Sequence, residues 1–153
     1  MTRVTSTRRG ASVGQALVEF ALVFPVLIMI LFGLVHLGRA VYAYSTIANA
    51  ARTGARVAIV NQTIYTASSC TAVQSIEQCA AAQAVALGID PASVQVQFVP
   101  ENAAATCTPV QLGCLAEITV PYTFRPITPV LGNLTIAMSA TSEMPVESTY
   151  VNP

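Results

Sequence analysis

Glu19 is the only acidic residue before Glu77, and Gly14 stands five residues ahead of it. Directly after Glu19 the chain reads FALVFPVLIMILFGLVHLG, Phe20 to Gly38, without a formal charge. That run is close to the ~20 apolar residues that cross a bilayer as a helix. Arg8 and Arg9 lie just ahead of the glycine, where basic residues hold an N-terminus on the cytoplasmic side. A carboxylate at the mouth of a membrane helix is costly, which makes Glu19 the first candidate site residue.

Other chemistry is sparse. His36 is the single histidine and sits near the outer end of the apolar run, where a satisfied helix-packing role is expected. Its position removes Ser-His-Asp and Cys-His arrangements from the rest of the chain. The remaining acids, Glu77, Asp90, Glu101, Glu117, Glu143 and Glu147, are scattered without metal-loop spacing, and no glycine-rich phosphate loop occurs. The expectation is no enzyme and no cofactor. Lysine is absent, and beyond Gly38 the only basic residues are Arg39, Arg52, Arg56 and Arg125. Nucleic acid, which needs a basic patch, is disfavoured as a partner.

The four cysteines, Cys70, Cys79, Cys107 and Cys114, all follow the apolar run. An even count on the exported side reads as disulfides in an oxidising compartment. Of three pairings, nearest-neighbour closure, Cys70–Cys79 and Cys107–Cys114, is preferred because each pair brackets one irregular stretch. A four-thiolate zinc site is the rival, and it lacks both a C-x-x-C step and an exported histidine.

These residues require a scaffold. With 153 residues, 54% of them hydrophobic and 9% charged, the chain suits one anchor and one small domain. The helical pattern runs from Gln15 to about Val60, with the membrane part over about 17–38. Ala40, Tyr44, Ile47, Ala48, Ala51, Ala55 and Ala58 then form a small-residue face, opposite Tyr42, Ser45, Asn49, Arg52 and Arg56. That stripe predicts an amphipathic stalk packed on a domain. Pro25 predicts a kink or local melting within the run.

After a Ser/Thr-rich loop at 61–70, Ser75-Ile-Glu-Gln78 has capping-box form and predicts a second helix to Leu87, stopped at Gly88. Period-two alternation follows at Val94–Phe98, Ala116–Arg125 and Leu134–Thr141, predicting an antiparallel sheet of about three strands. Pro121 should bulge the second strand or place it locally on an edge. Pro126, Pro129 and Gly132 supply the next turn, and Cys107 and Cys114 fall in the connection before the second strand. The fold class is therefore α+β: a long membrane-spanning helix continuing as a stalk, a further helix and a small sheet.

Basic leader, Gly14, Glu19 and apolar helix together resemble the class III signal of type IV pilin-like proteins. The wording from Gln15 to Leu27 (QALVEFALVFPVL), then Phe32-Gly33 and Gly38-Arg39-Ala40, is similar to TadE-like minor pilins, pseudopilins of the tight-adherence (Tad/Flp) system. The resemblance is dense from about Arg8 to Ala58 and loose beyond. It implies a leader, 1–14, removed by a prepilin peptidase between Gly14 and Gln15, a helix over 15–60, and an extracytoplasmic pilin-like domain over 61–153. It further implies that Glu19 and Phe20 belong to the processing and assembly motif, with Arg8 and Arg9 as the leader's basic residues.

A glycine at the cut lets the backbone enter the peptidase without a side-chain clash. The new Gln15 α-amine would lie about one turn from Glu19 and could pair with the Glu19 of a neighbouring subunit. Implied partners are the prepilin peptidase, other pilins and pseudopilins, an inner-membrane assembly platform and the lipid bilayer. The implied location is the cytoplasmic membrane, single-pass with the N-terminus inside, and the implied process is pilus biogenesis, adhesion or secretion. The alternative is a secreted or membrane-anchored binding module with no role in a pilus. Ala48-Asn49-Ala50 would be its A-x-A cleavage site, but it lies about ten residues past an apolar run already longer than the 7–15 of a signal peptide.

Overall fold

The computed structural model describes residues 9–60, 70, 75–101, 107, 110, 112–127 and 134–147. In chain order these form helix α1 (Arg9–Val60), helix α2 (Ile76–Gln83), a one-turn 3-10 helix (Pro91–Ser93), and strands β1 (Gln95–Pro100), β2 (Cys114–Phe124) and β3 (Ile136–Pro145). The fold is α+β. Two compact units divide the chain, one up to Arg39 and one from Ala40 onward.

The described residues of the first unit are all helical. α1 starts at Arg9 rather than Gln15, so the residues just ahead of Gly14 are helical too. None of the residues 9–13 is a proline, and nothing in that stretch stops the helix from extending upstream. α1 also runs through Pro25 without melting; the missing N–H removes one bond from the ladder, and the flanking turns stay helical. Nearly every large apolar side chain from Leu17 to Leu37 is exposed. By length and composition α1 is sufficient to cross a membrane.

The second unit is built on the last third of α1. Ile47, Ala50, Ala51, Ala55 and Ala58 are fully buried with Ala80 of α2 and with Ala116, Ile118 and Val120 of β2. The expected face is buried at Ile47, Ala51, Ala55 and Ala58 and exposed at Tyr44, and Ala43, Ala50 and Gly54 lie inside as well. Small side chains allow the close approach, and a tyrosine at its centre would hold the sheet away. Burying Ile118 fully stabilises the unit by about 1.5–3 kcal/mol relative to exposure.

α2 begins as the capping box predicts, with the Gln78 N–H donating to Ser75 Oγ at 3.2 Å. It ends at Gln83, one turn short of Leu87. There the bonding tightens: the Ala84 N–H donates to Ala81 O and the Leu87 N–H to Ala84 O, three residues back in each case. Gly88, at φ 59°, completes the exit. The following turn, Pro91–Ser93, is capped by Asp90, whose Oδ1 accepts from the Ala92 N–H at 3.0 Å.

The sheet has the order β1-β2-β3, antiparallel throughout. Even-numbered residues of β2 face the core and odd-numbered ones face away. β1 pairs with β2 only as far as Thr119, so Pro121 has a partner strand on one side alone, and its missing donor costs no ladder bond on the other. β2 starts at Cys114, paired with Pro100, so this cysteine belongs to the strand and not to the connection before it. Gly113, at φ 91°, turns the chain straight into the strand. The expected loop at 61–69 and the turn residues Pro129 and Gly132 lie outside the described residues.

Candidate functional site

Gly14, Gln15, Glu19 and Phe20 all lie on α1 and are all exposed. Helical pitch places Gln15 one turn before Glu19, and the Gln15 side-chain amide donates from Nε2 to Glu19 Oε1 at 3.3 Å. Phe20 stacks on Phe24, again one turn on, with ring centroids 5.2 Å apart. The carboxylate and the aromatic pair thus occupy adjacent positions near the start of the apolar run. Arg8 lies outside the described residues, and Arg9 is the first residue of α1.

Gly14 is not demanded by packing. A Cβ built on it would meet nothing within 4 Å, and the same holds for Gly33 and Gly38. In a helix interior glycine costs about 1 kcal/mol relative to alanine, so Gly14 is a small expense that the fold itself does not require. Gly54 differs: its Cβ would stand 3.1 Å from Ala80 Cβ and 3.2 Å from Ile118 Cγ2. Sequence reasoning passed over Gly54, although a glycine amid alanines on the buried stripe is the signal for such a contact.

His36 does not take the satisfied role expected of it. Both ring nitrogens are buried and, among the described residues, neither has a hydrogen-bond partner. Nothing places it near Glu19, which lies 17 positions earlier on the same helix, about 25 Å at 1.5 Å per residue.

The cysteines are joined as Cys70–Cys79 and Cys107–Cys114, with Cα–Cα separations of 5.5 and 5.9 Å. Cys79 and Cys114 are fully buried, at the first turns of α2 and the first residue of β2. The bridges therefore tie Cys70 and Cys107 to the starts of α2 and β2. Among the described residues no group of three or more His, Cys, Asp or Glu is placed to hold a metal ion. An open depression beside α2 is lined by Ser75, Glu77, Gln78, Pro91, Ala92 and Val94, and these side chains form no convergent set of reactive groups.

The arrangement is that of an exposed apolar rod carrying one acid, attached in sequence to a small disulfide-bonded domain. No curated protein and no solved structure matches the chain. A protein-family model, described as TadE-like protein, matches residues 14–56. That span begins at Gly14 and takes in Glu19, Phe20, Pro25 and Gly38-Arg39. The similarity to that family is thus confined to the apolar part of α1 and the start of its continuation, residues 14–56.

Proposed function

We propose that this chain is a non-enzymatic minor pilin or pseudopilin of a Tad/Flp system. It is made as a precursor and cut between Gly14 and Gln15 by a prepilin peptidase. α1 then holds it in the cytoplasmic membrane, N-terminus inside and disulfide-bonded domain outside, where it assembles with other pilins on an inner-membrane platform. The observation that carries this reading is the coincidence of the TadE-like match with one exposed, uncharged helical run headed by Gly14 and Glu19.

Two features support it further. Gly14 has open space around it, so its identity answers to something outside the fold, and a peptidase that must grip the backbone is such a thing. Glu19 lies beside the residue that would become the new N-terminus. An ionised α-amine and a carboxylate are opposite in charge and attract one another. Their pairing between neighbouring subunits would set register more than add stability, because burying an ion pair gains little net energy.

Intact mass of the membrane-extracted protein tests the reading. Expressed with its cognate peptidase, the mature chain should begin at Gln15. A chain beginning near Ala51 would replace this reading with a secreted module.

A further inference from the structure

Two pairs of like charges stand on opposite faces of the unit that begins at Ala40. On α1, Arg52 and Arg56 are both exposed and lie one turn apart, about 6 Å along the axis, a spacing at which like charges repel. On the sheet, Glu117 and Glu143 are direct partners across β2 and β3, where like charges are again destabilising. Among the described residues none of the four is held in an ion pair.

The pairs cannot neutralise each other within one molecule. α1 packs on the inner sheet face, where Gly54 meets Ile118. Arg52 and Arg56 leave the helix away from that contact. Glu117 is odd-numbered in β2 and leaves the sheet on its outer face.

The two faces match in more than charge. Along α1 the order is Asn49, then Arg52 and Arg56, then Val60, all exposed. Across the outer sheet face the order is the Thr119–Thr141 hydroxyl pair, bonded at 2.8 Å, then Glu117–Glu143, then Leu115 flanked by Val99 and Pro145. Successive rows on one sheet face are about 6.7 Å apart. Polar, charged and apolar positions thus follow in the same order along the helix and along the strands.

We propose that the Arg52–Arg56 face of one copy docks on the Glu117–Glu143 face of a second copy of this chain. Each guanidinium then meets a carboxylate, the pairing whose planar geometry gives the strongest charge-assisted hydrogen bonds. A phosphate-bearing partner would satisfy the arginines and leave the glutamates repelling; only a surface bearing both pairs relieves both repulsions. The two surfaces differ and lie on opposite sides of the unit, so the contact is heterologous. Every added copy leaves one face of each kind open, so the contacts continue as an open stack unless the rotation between copies closes a ring. The inference deepens the assembly reading above, and takes from it only that copies share one membrane.

The test co-expresses two differently tagged full-length copies, extracts them in mild detergent, isolates one tag and measures the other. Native copies should co-isolate. Two copies both carrying R52E/R56E should co-isolate about tenfold less, the factor equal to ~1.4 kcal/mol, and two copies both carrying E117R/E143R likewise. A copy with R52E/R56E mixed with a copy with E117R/E143R presents opposite charges at every contact, and should return to the native level. That recovery also shows that both variants fold. The proposal is overturned if native copies do not co-isolate, if either matched variant pair co-isolates like the native one, or if the mixed pair fails with all disulfides intact by mass. The N-terminal mass of the same samples reports processing separately. A Gln15 start without docking sinks the docking alone, and docking without a Gln15 start sinks the precursor reading alone.

Discussion

Gly54 and Ile118 touch so closely that a Cβ on the glycine would lie 3.2 Å from Ile118 Cγ2. This contact sets how near α1 can come to the sheet, and it gives the first prediction. Gly54→Ala should gain about 1 kcal/mol in helix propensity and lose about 1–3 kcal/mol to overpacking, for a small net loss. Gly54→Leu has no room between Ala80 and Ile118 and should lower the melting temperature far more. Gly33→Ala, with open space around it, is the control and should not lower it. Equal melting temperatures for Gly54→Leu and the native chain would show that the helix and sheet do not pack as described.

For processing, we predict that Gly14→Ala slows cleavage modestly and that Gly14→Val leaves a precursor retaining residues 1–14. Because a side chain at position 14 meets nothing in the chain itself, folding should be unaffected, and any effect reports on the peptidase. The N-terminal mass is the measurement; normal maturation of Gly14→Val would sink the cleavage proposal.

Glu19→Gln tests the pairing mechanism. The substitution keeps size and a hydrogen-bonding partner for Gln15, but removes the charge. We predict normal membrane insertion and normal cleavage, with fewer crosslinks to partner pilins and lost pilus or adhesion output. Glu19→Asp, one methylene shorter, should recover part of that output. Full activity of a cleaved, inserted Glu19→Gln chain would rule out charge pairing while leaving the TadE-like match untouched.

The bridges should contribute about 2–3 kcal/mol each, by restricting the unfolded chain. Peptide mapping without reduction should recover Cys70 linked to Cys79 and Cys107 linked to Cys114. Reduction, or a Cys79→Ser substitution that strands Cys70, should lower the melting temperature of the second unit. A melting temperature indifferent to reductant would mean that these stretches are held by other means.

What the sequence made legible follows from periodicity. An uncharged run from Phe20 to Gly38 has one good solution, and the alternation of Ala116, Ile118, Val120 and Tyr122 against Glu117, Thr119 and Thr123 fixes both strand and face. Ser75 declared the start of α2 because its hydroxyl caps a backbone N–H. The end of α2 was less legible: Ala84, Val85 and Ala86 are ordinary in a helix, and the earlier stop at Gln83 depends on the turn that leads into Asp90. The buried face of α1 was misjudged at Tyr44 for a related reason. A stripe of alanines gives little contrast around the helix, so tertiary contact through Gly54 decides the rotation. At the candidate site, residue types were readable at Gly14 and Glu19, whereas the Gln15–Glu19 hydrogen bond required coordinates, as did the His36 ring's lack of a hydrogen-bond partner among the described residues.

The two disulfides also bear on how the chain would respond to a pull. A released polypeptide pays out about 3.5 Å for each residue. The bridges span sequence separations of 9 and 7 residues, and so withhold roughly 50 Å of contour length that an unbridged chain could surrender. Under tension applied along its backbone, the segment after Ala40 would behave as a shorter and stiffer tether than its residue count suggests, with Cys70 and Cys107 clamped to the first turn of α2 and the first residue of β2.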